Sequence, residues 1–267
     1  YPEALGKWPK VLFLVNMISL GPHTAKRFKK HLGIKVSRIG GGSKYFGKDV
    51  TVASVQTLSN MVSDKNKYET KKFLEGLDIV FIDELHVNSA TGVHRVLKFS
   101  KAPMRFGLSG TVSEQLGKLL KFEGLTGPII ARIRNKELIE KGRSAKPKIR
   151  MVKIETDLVT GKYVESVRAG LYYNVYRNKQ VIREATTYLN KNMRVVVLFH
   201  RLPHGALLRK EFEKKLDIPI GFMEGSTPVP TRNRIVKRFT SGKVPLLIAS
   251  SILDVGIDIP EIDAFVL

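Results

Sequence analysis

The sequence predicts an α/β chain of two consecutive domains, each a mostly parallel sheet flanked by helices. Three observations predict it. Short apolar runs of strand length recur along the whole chain. The segments between several of them carry apolar residues four apart, as on one face of a helix. The alternation breaks at a basic, punctuated stretch, Arg143-Ser144-Ala145-Lys146-Pro147-Lys148, and then restarts. Strands that alternate with helices join through crossover connections, which make neighbouring strands parallel. The break reads as a linker, so the expected domains are 1–144 and 145–267.

In the first domain, strands are expected at Val11–Val15, Ile34–Ile39, Val50–Ser54, Ile79–Ile82, Arg105–Leu108 and Ile129–Ile133. Thr24–Leu32 reads as a helix, with Phe28 and Leu32 four apart and Gly33 as its stop. Tyr68–Leu77 reads likewise, through Phe73 and Leu77. In the second domain, strands are expected at Ile149–Ile154, Val195–Phe199, Ile218–Met223, Leu246–Ala249 and Ile262–Leu267. Val164–Asn190 between them is helical in character.

The charge narrows the class of function. Lys and Arg number 46 against 24 Asp and Glu in 267 residues, a formal net charge of +22. So large an excess repels itself and calls for a polyanionic partner, of which nucleic acid is the commonest. No apolar run approaches the ~20 residues of a membrane helix, so no membrane role is expected. The absence of cysteine excludes a disulfide frame and a cysteine zinc site, and fits a reducing cytoplasm.

The strongest local signal is Leu77-Asp78-Ile79-Val80-Phe81-Ile82 running directly into Asp83-Glu84-Leu85-His86. Ligand sites of open parallel sheets lie beyond the carboxyl ends of strands. Two carboxylates there suit a Mg²⁺–nucleotide site. One would hold the largely hydrated ion through water, and the next would deprotonate an attacking water. An ordinary polar turn is the competing reading. Arg105-Phe106-Gly107-Leu108-Ser109-Gly110-Thr111 is a second strand ending in hydroxyl residues, and Ser109 or Thr111 is expected to meet His86 or the acids.

These residues resemble the superfamily 2 helicases and translocases. Asp83-Glu84-Leu85-His86 resembles the family's Walker B motif, and Ser109-Gly110-Thr111 its motif III. Val11–Leu20 sits where motif Ia is expected, Gly40-Gly41-Gly42 resembles motif Ib, and Val52–Leu58 resembles motif Ic. Val195–Phe199 is similar to motif IV, and Ile248–Pro260 to motif V. Within the superfamily the pattern is similar to the group holding UvsW, XPB and RadD, carried by Ala102–Thr111 and by Glu137–Gly142 running into Lys146–Ile149.

The resemblance implies two tandem RecA-like domains, ATP and Mg²⁺ as cofactors, and DNA rather than RNA as partner. It also implies work in DNA repair or recombination, in a bacterial or phage-infected cytoplasm. Asp83 is implied to hold Mg²⁺ through water, Glu84 to act as general base, and His86 to relay nucleotide state to Ser109, Gly110 and Thr111. Gly256 and Asp258 are implied to approach the nucleotide from the second domain. Nucleic-acid backbone contacts are implied for Asn16, Ser19, Gly41, Gly42, Ser54, Gln56 and Thr57, and for Ser250 and Ser251. Asn16 stands where the family commonly has proline.

No segment fits the phosphate loop G-x-x-x-x-G-K-[ST]. Gly40-Gly41-Gly42-Ser43-Lys44 lacks the spacing and follows motif Ia. The chain lacks an initiator Met and stops within an apolar run, so a fragment without the phosphate loop and the family's arginine motif is expected. Such a fragment alone should hydrolyse ATP negligibly. Two alternatives stand beside the motor: a nucleic-acid binding or annealing module without catalysis, and the motor subunit of a restriction or transcription complex.

Other features read more plainly. His200 and His204 are four apart, but Pro203 intervenes and no third ligand is evident, so a metal site is not expected. Tyr172, Tyr173 and Tyr176 are either base-stacking residues or, as helical spacing favours, core and interface residues. Arg232, Arg234, Lys237 and Arg238 lie on a basic helix that either touches phosphates or is simply solvated.

Overall fold

The structure, a computed structural model, describes residues 8–18, 20–47, 49–64, 68–86, 90–111, 116–154, 161–250, 259 and 261–267. The chain divides into two compact units, Tyr1–Lys146 and Pro147–Leu267.

Unit 1 contains β1 (Val11–Val15), α1 (Leu20–Leu32), β2 (Val36–Gly40), β3 (Ser43–Lys44), β4 (Val50–Ser54), α2 (Val55–Met61), α3 (Tyr68–Glu75), β5 (Ile79–Ile82), α4 (Ala90–Leu97), β6 (Met104–Gly107), α5 (Leu116–Thr126) and α6 (Asn135–Glu140). Its six strands run in the order β3-β2-β4-β1-β5-β6, all parallel except the β2–β3 hairpin. Side chains alternate across the sheet because successive residues of a strand point to opposite faces. Leu12 and Leu14 of β1 and Val80 and Ile82 of β5 enter the larger core, against Leu58, Leu74, Val93 and Val96 of the helices. Phe13 and Phe81 point the other way. There a row of rings runs Phe28–Phe13–Phe81–Phe106, with successive centroids 5.1, 6.1 and 5.1 Å apart.

Unit 2 contains α7 (Tyr163–Val167), a π-helical turn (Arg168–Tyr172), α8 (Val175–Leu189), β7 (Val195–Phe199), α9 (Leu202–Lys215), β8 (Ile220–Met223), α10 (Val229–Thr240), β9 (Leu246–Ser250) and β10 (Ala264–Val266). The strands form an all-parallel sheet in the order β10-β7-β9-β8. Both faces are covered. Val181, Ile182, Leu208 and Phe212 pack on one, and Phe239 on the other. Strands buried on both faces read as continuous apolar runs, as Val195-Val196-Val197-Leu198-Phe199 does.

Two expected strands are corrected. Ile129–Ile133 and Ile149–Ile154 are irregular, and Ile130, Ile133, Ile149 and Met151 are exposed. Neither run pairs with a strand in either sheet. An extended run lacking a ladder partner leaves its N–H and C=O groups to water. The segment Val164–Asn190 is broken rather than continuous. The π turn interrupts it, and Asn174 restarts the helix by accepting the N–H of Arg177 at 2.9 Å.

Candidate nucleotide and nucleic-acid site

The carboxyl ends of the parallel strands of unit 1 lie along one rim of its sheet. The register pairs Val15 with Ser54, Ile39 with Ala53, Leu14 with Ile82, and Ile82 with Gly107. The residues that follow these strand ends therefore share that rim, where ligands of such sheets bind.

The backbone first fixes the acidic turn. Asp83 N–H donates to Leu14 C=O at 2.9 Å, and Leu108 N–H donates to Ile82 C=O at 2.8 Å. Glu84 then adopts a left-handed conformation, φ +47°, which is uncommon for a residue with a side chain. The next residue, Leu85, donates its N–H to Leu108 C=O at 2.9 Å. The close approach has a second cause. A Cβ at Gly107 would lie 2.5 Å from Leu85 Cδ2, so only glycine lets Leu85 seat there unshifted.

The side chains then converge. His86 Nδ1 lies 2.7 Å from Ser109 Oγ and 3.3 Å from Glu84 Oε2. Ser109 Oγ lies 2.5 Å from Thr111 C=O and accepts the Thr111 N–H at 3.3 Å. Two oxygens so close need a proton between them, so the Ser109 hydroxyl donates to Thr111. Ser109 is then left to accept from His86, which places a proton on Nδ1. The Asp83–His86 turn and the Ser109–Thr111 turn are thus joined through side chains, as the sequence led one to expect.

Asp83 is half-buried. Burial raises its carboxyl pKa above the ordinary value, opposed by the hydrogen bond its Oδ1 accepts from Glu84 N–H at 3.1 Å. A desolvated carboxylate gains most from a nearby cation. The described residues hold no group of three or more His, Asp or Glu able to cage a metal. A Mg²⁺ that keeps its waters needs no such cage, and one partly buried carboxylate beside a second acid fits it.

Farther along the rim, Asn16 follows β1, and Gly41 and Gly42 make the β2–β3 turn with positive φ. A Cβ at Gly41 would lie 3.3 Å from Ile18, and one at Gly40 would lie 3.5 Å from Thr57 Oγ1. These contacts bring the loop after β1, the hairpin turn and the start of α2 together. Ser54 is buried, and its hydroxyl is committed locally. It accepts Thr57 N–H at 3.1 Å and donates to Thr57 Oγ1 at 2.8 Å, capping α2. Gln56 is the exposed side chain of that turn. In unit 2, Ser250 is buried at the end of β9 beside Phe199. Ser19, Ser251, Gly256 and Asp258 lie outside the described residues. Sequence reasoning passed over Gly107, although a glycine directly before Leu-Ser-Gly-Thr was the available sign of a close approach.

Two family profiles match the chain, "Type III restriction enzyme, res subunit" over residues 3–114 and "Helicase conserved C-terminal domain" over residues 177–267. The two profiles lie in series along the chain, and the relatives it is similar to are superfamily 2 helicases. The ATP-dependent DNA helicase uvsW of Enterobacteria phage T4 is 23 % identical, over 97 % of this chain and 53 % of that protein. The general transcription and DNA repair factor IIH helicase/translocase subunit XPB of Schizosaccharomyces pombe is 25 % identical, over 78 % of the chain and 26 % of that protein. The chain thus spans about half or less of the length of these helicases. Among solved structures, that of the helicase MrfA bound to DNA is similar with a TM-score of 0.66, at 13 % identity, covering 96 % of this chain and 38 % of that one. That likeness shows the fold alone, two RecA-like domains in tandem. Among the described residues, no helix is long and apolar enough to cross a membrane.

Proposed function

We propose that this chain carries the motor of an ATP-driven DNA helicase or translocase. The observation that supports it most is the 2.7 Å contact of His86 with Ser109, which ties an acidic strand-end turn to a second strand end. A turn that merely reversed the chain would not need it.

In this reading Asp83 would hold Mg²⁺ through water. The ion when bound would neutralise phosphate charge. Glu84, the acid next to Asp83, accepts a proton from the attacking water. His86 senses where Glu84 points and passes that to Ser109, Gly110 and Thr111. The family resemblance would add Gly256 and Asp258, outside the described residues, to the nucleotide contacts. The nucleic-acid backbone runs over Asn16, Ser19, Gly41, Gly42, Gln56 and Thr57, with Ser54 holding their turn, and over the segment of Ser250 and Ser251. Small residues and backbone N–H groups suit such contacts, which carry little sequence information. DNA is favoured over RNA because the uvsW relative is named a DNA helicase. The +22 charge supplies the attraction.

The test uses the longest natural polypeptide that contains these residues. Glu84→Gln should cut DNA-stimulated ATP turnover by about 10²–10⁴-fold, with ATP and DNA binding changed less than about twofold. Turnover that survives Glu84→Gln, or DNA binding lost with it, would contradict the assignment.

A further inference from the structure

Unit 2 carries a cavity that the motor reading does not use. It measures about 370 Å³ and is lined by Tyr163, Arg168, Tyr172, Tyr173 and Arg201, with His204 among its walls. We propose that it receives an unstacked base of a single nucleic-acid strand.

The cavity is a built feature. Its wall is the π-helical turn Arg168–Tyr172, closed by Tyr173 N–H donating to Arg168 C=O at 2.9 Å. Such turns are rare and recur at functional sites. Buried side chains hold it in place. Asn178 donates its Nδ2 to Tyr172 C=O at 3.0 Å, which leaves Oδ1 to accept from His204 Nε2, also at 3.0 Å. The Tyr172 ring packs on the His204 ring with centroids 5.6 Å apart. Both Asn178 and His204 are buried, so the wall is anchored to α8 and α9 at once.

The lining has the chemistry of a base site. Tyr163 is 83 % exposed and Tyr173 46 % exposed, an unusual cost for rings that a core would take. The guanidinium of Arg168 sits 5.9 Å over the Tyr173 ring. Aromatic rings and guanidinium planes are the two surfaces on which unpaired bases stack. Arg168 and Arg201 supply positive charge for the adjoining phosphates, and among the described residues no acidic side chain lines the cavity. Arg201 directly precedes α9, two residues beyond the end of β7 at Phe199. Phe199 pairs with Ser250, so Arg201 at the cavity follows the strand next to the one that ends at Ser250, which is assigned above to the nucleic-acid backbone. The inference rests on that assignment and extends it from phosphates to a base.

The experiment measures binding of the 267-residue chain to a dye-labelled oligothymidylate and to an abasic strand of equal length. The unsubstituted chain should bind the abasic strand about tenfold more weakly. Tyr163→Ala with Tyr173→Ala should weaken oligothymidylate binding about tenfold, leave abasic binding unchanged, and leave the salt dependence unchanged, since no phosphate contact is lost. Tyr163→Phe with Tyr173→Phe should bind as the unsubstituted chain does. Tyr163→Ala alone, at an exposed position, keeps the test readable if the double variant fails to fold. Equal losses on both strands, or none, would overturn the cavity assignment alone. Failure of the unsubstituted chain to bind either strand would overturn the nucleic-acid reading beneath it. Displacement of the strand by a free nucleoside monophosphate would assign the cavity to a free nucleotide and overturn the strand assignment.

Discussion

His86 Nδ1 and Ser109 Oγ lie 2.7 Å apart across the ends of β5 and β6, and the Ser109 hydroxyl is already given to Thr111 C=O. The imidazole must therefore donate. Its Nδ1 proton faces Ser109 Oγ and, at 3.3 Å, the Glu84 carboxylate. The tautomer of His86 is thus set by a residue in another strand-end turn.

The first prediction follows from that proton. Ser109→Ala removes the acceptor but not Glu84, so the Nδ1 proton loses its better-placed partner. Nitrogen NMR of the imidazole should show a protonated Nδ1 in the unsubstituted chain and a shift toward the Nε2–H tautomer in Ser109→Ala. In the longest natural polypeptide, the same change should lower DNA stimulation of turnover about tenfold, as expected for a positioning hydrogen bond of roughly 1.4 kcal/mol. Identical tautomer populations in the two proteins would show that Ser109 does not position His86.

The second concerns Asp83. Burial raises its pKa, so the folded state holds its proton to higher pH than the unfolded chain does. Stability is lost as pH rises through that raised value, and the penalty persists at neutral pH. Asp83→Asn keeps an Oδ1 to accept the Glu84 N–H but carries no charge. It should stabilise unit 1 at pH 7, read in urea by the fluorescence of Trp8, the chain's single tryptophan. The gain should vanish in acid, where both side chains are neutral. Added Mg²⁺ should narrow it, by stabilising only the carboxylate form. A gain that is absent at pH 7, or equal in acid, would rule out desolvation as the cause.

Much of this was legible in the sequence because the relevant physics is local. Val11–Val15, Val50–Ser54, Ile79–Ile82 and Val195–Phe199 are strands with the expected bounds, since a short apolar run between polar turns has few other ways to be buried. Ile149–Ile154 has the same local character and forms no ladder. Its Arg150 instead pairs with Glu184 on α8, at 3.1 Å. A strand is a property of a pair, and a sequence shows one member. The acidic turn divides likewise. Its residues and their chemistry were visible in order. The left-handed Glu84 was not, because it is imposed by Leu108 C=O and the bare Cα of Gly107, which arrive from another strand. The cavity beside Tyr163 was least visible. Tyr172, Tyr173 and Tyr176 are spaced as on a helix, but the π turn ends at Tyr172 and α8 begins only at Val175.

The last prediction uses the buried histidine that anchors this turn. His204 is 3 % exposed, and its pKa is lowered to about 4 from 6.5, chiefly by burial and then by repulsion from Arg177 and His200. Its Nε2 proton goes to Asn178, so protonation of the other ring nitrogen would place a charge in an apolar wall. Unfolded chain takes up that proton near pH 6.5, and folded chain refuses it until about pH 4. Stability is therefore constant above that window and falls as pH drops through it, by about 2 kcal/mol at pH 5 and by about 3 kcal/mol in full. His204→Gln keeps a donor for Asn178 but does not titrate. Hydrogen exchange of the β7 and β9 amides reports unit 2 by itself. Between pH 7.5 and pH 5 the unsubstituted chain should lose about 2 kcal/mol relative to His204→Gln. A difference between the two proteins that stays the same at both pH values would mean that His204 titrates alike folded and unfolded, and that the wall it supports is open to water.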